Sequence, residues 1–178
     1  MKIKERKQKT SQLLAECKKL FPVWSYYSNE ELDKQFPIPQ ELTEREFQDS
    51  VEPDKETLGM SSKEAEEKGF TNGITLRERI IMELEYFKKT GKNLDIKGLT
   101  FCSGSRCSDG DVPNAFLNND GKFEVYCNGL DRSLSGYGIR SIVKNSESMI
   151  QLNNEENNNS KKDGFSITCK QCGFCRNI

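Results

Sequence analysis

Residues 75–90 most constrain what this chain can fold into, because the apolar period changes just after them. Leu76, Ile80, Leu84 and Phe87 recur on one face at helical spacing, Thr75 and Glu78 form a capping box, and Gly91 supplies a left-handed stop. Lys88 and Lys89 occupy the last turn, where cations suit the helix dipole. Beyond Gly91 the pattern turns to short β-like segments at 96–102, 114–117, 122–127, 138–143 and 165–169. Asn118-Asn119-Asp120-Gly121 reads as a hairpin turn between two of them. An amphipathic helix packed on a small antiparallel sheet, an α+β architecture, satisfies both patterns. Its expected core is Leu76, Ile80, Leu84, Phe87, Phe116, Phe123 and Val125.

The first 70 residues read differently. A helix begins near Ser11, with Leu13, Leu14, Cys17, Leu20 and Phe21 on one face, and Pro22 stops it. An aromatic knot follows: Phe21, Trp24, Tyr26 and Tyr27. Short acidic helices are predicted over 29–68, one capped at Asn29 and ending at Phe36-Pro37, others opened by the capping boxes Thr43–Glu46 and Ser61–Glu64. Residues 1–19 carry seven Lys/Arg and two Glu, whereas residues 30–67 carry thirteen Asp/Glu and four Lys/Arg. Hydrophobic residues make up only 34% of the chain and charged residues 31%, so one core for all 178 residues is not expected. The predicted division is a helical, charge-polarised arm over 1–70, an α+β core over 71–152, a polar linker over 153–163, and a Cys-rich tail over 164–178 that returns to the core.

The sequence contains no histidine, which excludes histidine bases, Ser-His and Cys-His nucleophile pairs and imidazole metal ligands. No apolar run reaches the roughly 18–20 residues needed to span a bilayer, and the basic start lacks an apolar segment after it. A cytoplasmic or similarly reducing location is therefore expected, where the seven cysteines read as metal ligands or buried thiols before disulfides.

Cys169-x2-Cys172-Gly-Phe-Cys175 has the spacing of a zinc knuckle. A closed four-thiolate zinc site needs a second pair, and Cys102-x4-Cys107 supplies it, with Cys127 or Cys175 as a substitute ligand. The rival reading is that these are spare or buried thiols; an iron–sulfur cluster fits less well, for want of a fourth Cys followed by Pro. Between the candidate ligands, Ser103, Gly104, Ser105 and Arg106 form a Gly/Ser turn whose amides can cradle an anion, while Asp109 and Asp111 offer a site for Mg²⁺ or Ca²⁺. A structural turn is the simpler account of all ten residues. Cys107 beside Arg106 invites a nucleophile reading, but it lacks a histidine base.

Residues 74–143 resemble uncharacterised small proteins of bacterial prophages and mobile elements. The shared features are a helix, the turn Cys-Ser-Gly-Ser-Arg, and Ser-Asp-Gly-Asp-Val-Pro leading into a strand. Cys107 stands where those proteins place an aromatic residue. The resemblance implies a mobile-element origin and no mechanism. The expectation is a non-enzymatic protein- or nucleic-acid-binding module, zinc-stabilised, with a protein partner, no membrane, and contacts made by residues 1–70. One alternative is an inhibitor of a host defence nuclease, with Glu41, Glu44, Glu46 and Asp49 imitating a phosphate backbone. Another is an enzyme dependent on a metal at Asp109 and Asp111 or on the thiol of Cys107. Trp24, Tyr26 and Tyr27 after a basic N-terminus also fit a nucleic-acid contact, although packing on the sheet is the expected role of these rings.

Overall fold

The computed structural model describes residues 1–143. The linker at 153–163, the segment 165–169 and Cys169, Cys172 and Cys175 lie outside the described residues. The chain forms an α+β fold with four α-helices and two sheets, in the order β1 (Lys2–Lys4), α1 (Thr10–Lys18), β2 (Val23–Ser25), α2 (Asn29–Gln35), β3 (Glu44–Glu46), α3 (Ser62–Glu67), α4 (Leu76–Thr90), β4 (Leu99–Phe101), β5 (Val112–Leu117), β6 (Phe123–Asn128) and β7 (Tyr137–Ile139). No helix among the described residues is long and apolar enough to cross a membrane.

The capping signals at α4 act as expected. Thr75 Oγ1 accepts from the Glu78 amide at 3.1 Å, Glu78 reaches back to the Thr75 amide at 2.9 Å, and Gly91 closes the helix at φ 69°. The central sheet runs β2-β6-β5-β4-β7. Its middle is antiparallel, as the Asn118–Gly121 turn demands, but both outer strands pair parallel: β2 with β6 and β7 with β4. The sheet is therefore mixed, not purely antiparallel, because its edge strands arrive from distant parts of the chain instead of from hairpins.

α4 and α1 cover the inner face, where Leu13, Leu14, Ile80, Leu84, Phe123 and Val125 are buried together. Phe87 and Phe116 are only half-buried, and Leu20, beyond the end of α1, is exposed. The outer face is covered on one side only. Ala65 of α3, helped by Met60 and Phe70, packs on Leu99, Phe101, Val112 and Ile139 of β4, β5 and β7. The β2–β6 side of that face has no such lid among the described residues.

Residues 1–70 are part of the compact unit Met1–Val143 instead of a detached arm. β2 is a strand of the main sheet, and Arg77 of α4 pins the N-terminal segment through Glu5 at 3.1 Å, Thr10 Oγ1 at 2.9 Å and the carbonyls of Arg6 and Gln8. The Thr43–Glu46 capping box does not open a helix. Glu44–Glu46 form β3, which pairs with β1 in the register Lys2↔Glu46 and Lys4↔Glu44. Opposite charges facing across a strand pair outweigh a weak local helix signal, and they set the basic start of the chain against the acidic stretch.

A fully buried ionic network lies between α4 and the sheet. Arg79 donates to Asp95 and to Glu83, both at 2.7 Å, and Arg140 donates to the other oxygen of Asp95 at 2.6 Å. Thr100 adds a hydroxyl to Asp95 at 2.7 Å, while Arg140 also holds the carbonyls of Ser50 and Val51. Burial would raise the Asp95 carboxyl, but the guanidiniums of Arg140 and Arg79 outweigh it and hold it below the ordinary carboxylate range. Two cations and two carboxylates thus neutralise one another where no water reaches.

Candidate functional site

The cysteines named from sequence separate. Cys102 is fully buried, its thiol 4.0 Å from the Thr100 carbonyl, and burial pushes its pKa up; Cys17 is likewise buried and pushed up to about 12. Both are packed, unreactive thiols. Cys107 does not pair with Cys102 but forms a disulfide with Cys127, the residue named as a substitute ligand. Pro113 of β5 lies opposite Cys127 of β6, so the loop leading into β5 brings Cys107 back over that strand. Asp109 completes a group of three whose ligand atoms all lie within 4.8 Å of one another and can hold a metal ion; in this structure two of the three donors are joined to each other.

Ser103–Arg106 are used internally. The amides of Gly104 and Ser105 donate to the carbonyls of Ile74 and Cys102, and Ser105 Oγ accepts from the Leu76 amide at 3.0 Å, tying the loop to the first turn of α4. A Cβ at Gly104 would come within 2.5 Å of the Gly73 carbonyl, which fixes glycine there. Arg106 donates to the Ser103 and Ser105 carbonyls and pairs with Glu66. The Gly104 and Ser105 amides and the Arg106 guanidinium are committed to a structural clamp, while the buried Ser103 hydroxyl has no partner. Asp109 and Asp111 are likewise drawn into the turn, Asp109 Oδ1 accepting the Asp111 amide at 3.1 Å. Glu44 and Glu46 face lysines across β1, and Glu41 and Asp49 are exposed on the flanking loops.

The aromatic knot divides along the alternation of an extended strand. Phe21 and Tyr27 turn inward and are buried, Phe21 against Phe87 at 4.7 Å and Tyr27 against Phe36 at 5.7 Å. Trp24 and Tyr26 turn outward and remain 44% and 61% exposed, which corrects the expectation that these rings pack on the sheet. Trp24 sits beside Glu124 in the register, on the same outer face as Tyr126, itself 39% exposed. The Trp24 and Tyr126 rings stack at 6.1 Å and 27°, and Tyr26 meets Tyr126 edge-on at 5.3 Å. This pair forms one wall of an open cavity of about 440 Å³ whose other walls include Phe116, Tyr137, Lys122 and Arg132. Of the carboxylates there, Glu124 accepts from the Asn118 side chain at 2.6 Å, and Asp120 lies at the exposed hairpin tip.

Lysines gather at one end of the helical layer, on the inner side of the sheet. α1 and α4 run parallel, with Arg77 at Thr10 at one end and Lys88 at Glu16, 3.7 Å apart, towards the other. Their last turns therefore lie towards the same end, where Lys18, Lys19, Lys88, Lys89 and Lys92 are each exposed, on the sheet's other side from Trp24 and Tyr126. Phe21 joins that end to the sheet, since it touches Phe87 and Phe123, and the Phe123 amide donates to Pro22 just before β2. Lys122 of the hairpin lies at the same end, one residue before Phe123.

Sequence alternation alone places Tyr126 outward, because Phe123 and Val125 are core residues. No comparable signal marks Trp24. Comparison with family models, curated proteins and solved structures finds no match for this chain. What the fold and this face define is an α+β protein with a half-covered sheet and an exposed aromatic surface beside Lys122 and Arg132.

Proposed function

We propose that this chain is a non-enzymatic binding module that holds a segment of single-stranded nucleic acid on the open half of its sheet. The observation that carries the reading is the exposed Trp24–Tyr126 stack, with Tyr26 at its edge, on the part of the outer face that α3 leaves uncovered. Exposed stacked rings offer flat apolar surface to bases of any sequence, at about 1–3 kcal/mol per base. Lys122 and Arg132 in the walls of the same cavity supply cations for the phosphates in a chain whose overall charge is −1.

Trp24 is the sole tryptophan, so its emission reports the site without labelling. Titration with an oligothymidylate of roughly ten nucleotides is expected to quench it saturably, with affinity falling as salt rises. Trp24→Leu and Tyr126→Leu, followed by anisotropy of a labelled strand, are expected to weaken binding by about 1–3 kcal/mol each. No saturable change at low salt would contradict the reading. Zinc, expected from the sequence at four cysteines, is proposed at a different residue set: Cys107, Asp109 and Cys127.

A further inference from the structure

Cys107, Asp109 and Cys127 are held together by backbone, not by chance proximity. The Cys107 amide donates to the Asp111 carbonyl at 2.8 Å and the Gly110 amide to the Cys107 carbonyl at 3.0 Å, closing a tight turn with Asp109 inside it. That turn and β6 bring one oxygen and two sulfurs within 4.8 Å of each other. Tyr27 adds its hydroxyl, 2.9 Å from the Cys107 sulfur. Arg106, the nearest cation in sequence, points instead to Glu66.

A disulfide has no use for a carboxylate set beside it. Once the sulfurs are reduced and ionised, however, the same group becomes three anionic donors in one small space, which is unfavourable unless they share a cation. Two thiolates and a carboxylate are a zinc donor set; hard ions such as Mg²⁺ and Ca²⁺ prefer oxygen alone. We propose that the reduced chain binds one zinc ion through Cys107, Cys127 and Asp109, and that the disulfide is the metal-free alternative state of the same residues.

Each step balances. A dithiol reductant gives two electrons and two protons to the pair; the S–S bond breaks, two protein thiols form, and the dithiol closes to its own disulfide. Zinc then displaces the two thiol protons to solvent, with Asp109 contributing an oxygen and water the fourth position of a tetrahedral ion. A low-molecular-weight disulfide accepts the two electrons back: it exchanges with the two thiolates, the protein S–S bond re-forms, the oxidant's own S–S bond breaks to two thiols that take up two protons, and zinc is released. This site is separate from the proposed strand-binding face and stands or falls without it.

The full chain, reduced with a trialkylphosphine without oxygen, would be titrated with zinc against a chromophoric chelator. Cys107→Ser/Cys127→Ser retains Cys169, Cys172 and Cys175, so it subtracts any zinc held elsewhere. The wild type is expected to bind one zinc more than this variant and to release it on oxidation. Asp109→Asn, an exposed substitution that keeps the turn's hydrogen bond, should weaken the site at least tenfold, about the lower effect seen when only an outer-shell partner is lost. Cobalt in place of zinc should give a near-ultraviolet thiolate charge-transfer band that exceeds any given by the double variant. Equal zinc uptake by reduced wild type and double variant, or unchanged affinity in Asp109→Asn, would overturn the proposal.

Discussion

The two faces of the central sheet invert the usual placement of side chains. On the inner face, four charged residues, Arg79, Glu83, Asp95 and Arg140, are fully buried; on the outer face, Trp24, Tyr26 and Tyr126 stand in solvent. The charges are buried because each is paired: α4 carries the sheet on one side and the N-terminal segment on the other, leaving no solvent-facing stripe over its first two turns. The rings are exposed because α3 covers only the β4–β7 side. Buried charge here is architecture, and the exposed rings are the surface that the proposed strand would occupy.

The difference can be broken most severely from the inside. Asp95→Ala leaves two buried guanidiniums without their shared carboxylate and should cost about 3–5 kcal/mol, read by thermal or denaturant melting. On the outside, Trp24→Leu should weaken strand binding by about 1–3 kcal/mol while moving stability by less than about 0.5 kcal/mol. A variant that loses both together would erase the distinction between the faces.

Smaller effects sharpen it. Replacing Lys122 and Arg132 by Gln should flatten the dependence of binding on log salt concentration by about 0.7 for each phosphate no longer neutralised, with little change in Trp24 quenching at saturation. Acid should act on the inner face. Because the Asp95 pKa is lowered in the fold, its stabilisation is complete above the unfolded value near 3.9 and is lost as pH falls through the folded one. Melting temperature should therefore drop steeply below about pH 4. Glu78, raised mainly by burial and opposed by Thr75 and Arg45, contributes with the opposite sign, so Glu78→Gln should remove a shallow decline of stability towards neutral pH. The smallest effect belongs to the β1–β3 ribbon, where reversing Glu46 to Lys opposite Lys2 should cost about 0.2–1 kcal/mol.

Much of the fold was legible from local signals. The caps of α3 and α4, the hairpin at Asn118–Gly121 and the inward set Phe123 and Val125 follow from residue types at fixed spacing. What escaped depends on distant pairing. Nothing local marks Arg79 and Glu83 as buried; Asp95, 16 residues from Arg79, and Arg140, 45 residues from Asp95, complete the network that buries them. β3 is likewise set by its partner strand and not by its own sequence. At the candidate sites, Cys107 and Cys127 both stand out as thiols, but nothing in their spacing says that they meet. The exposure of Trp24 depends on where a separate helix, α3, happens to end.

Photocrosslinking places the strand most directly. An oligonucleotide carrying 5-bromouracil, irradiated with the full chain and mapped by mass spectrometry, should attach to peptides holding Trp24, Tyr26 or Tyr126 and spare those of the α4-covered face. Attachment confined to other surfaces, or none at low salt with the protein in excess, would contradict the assignment of the open half-sheet as the binding face.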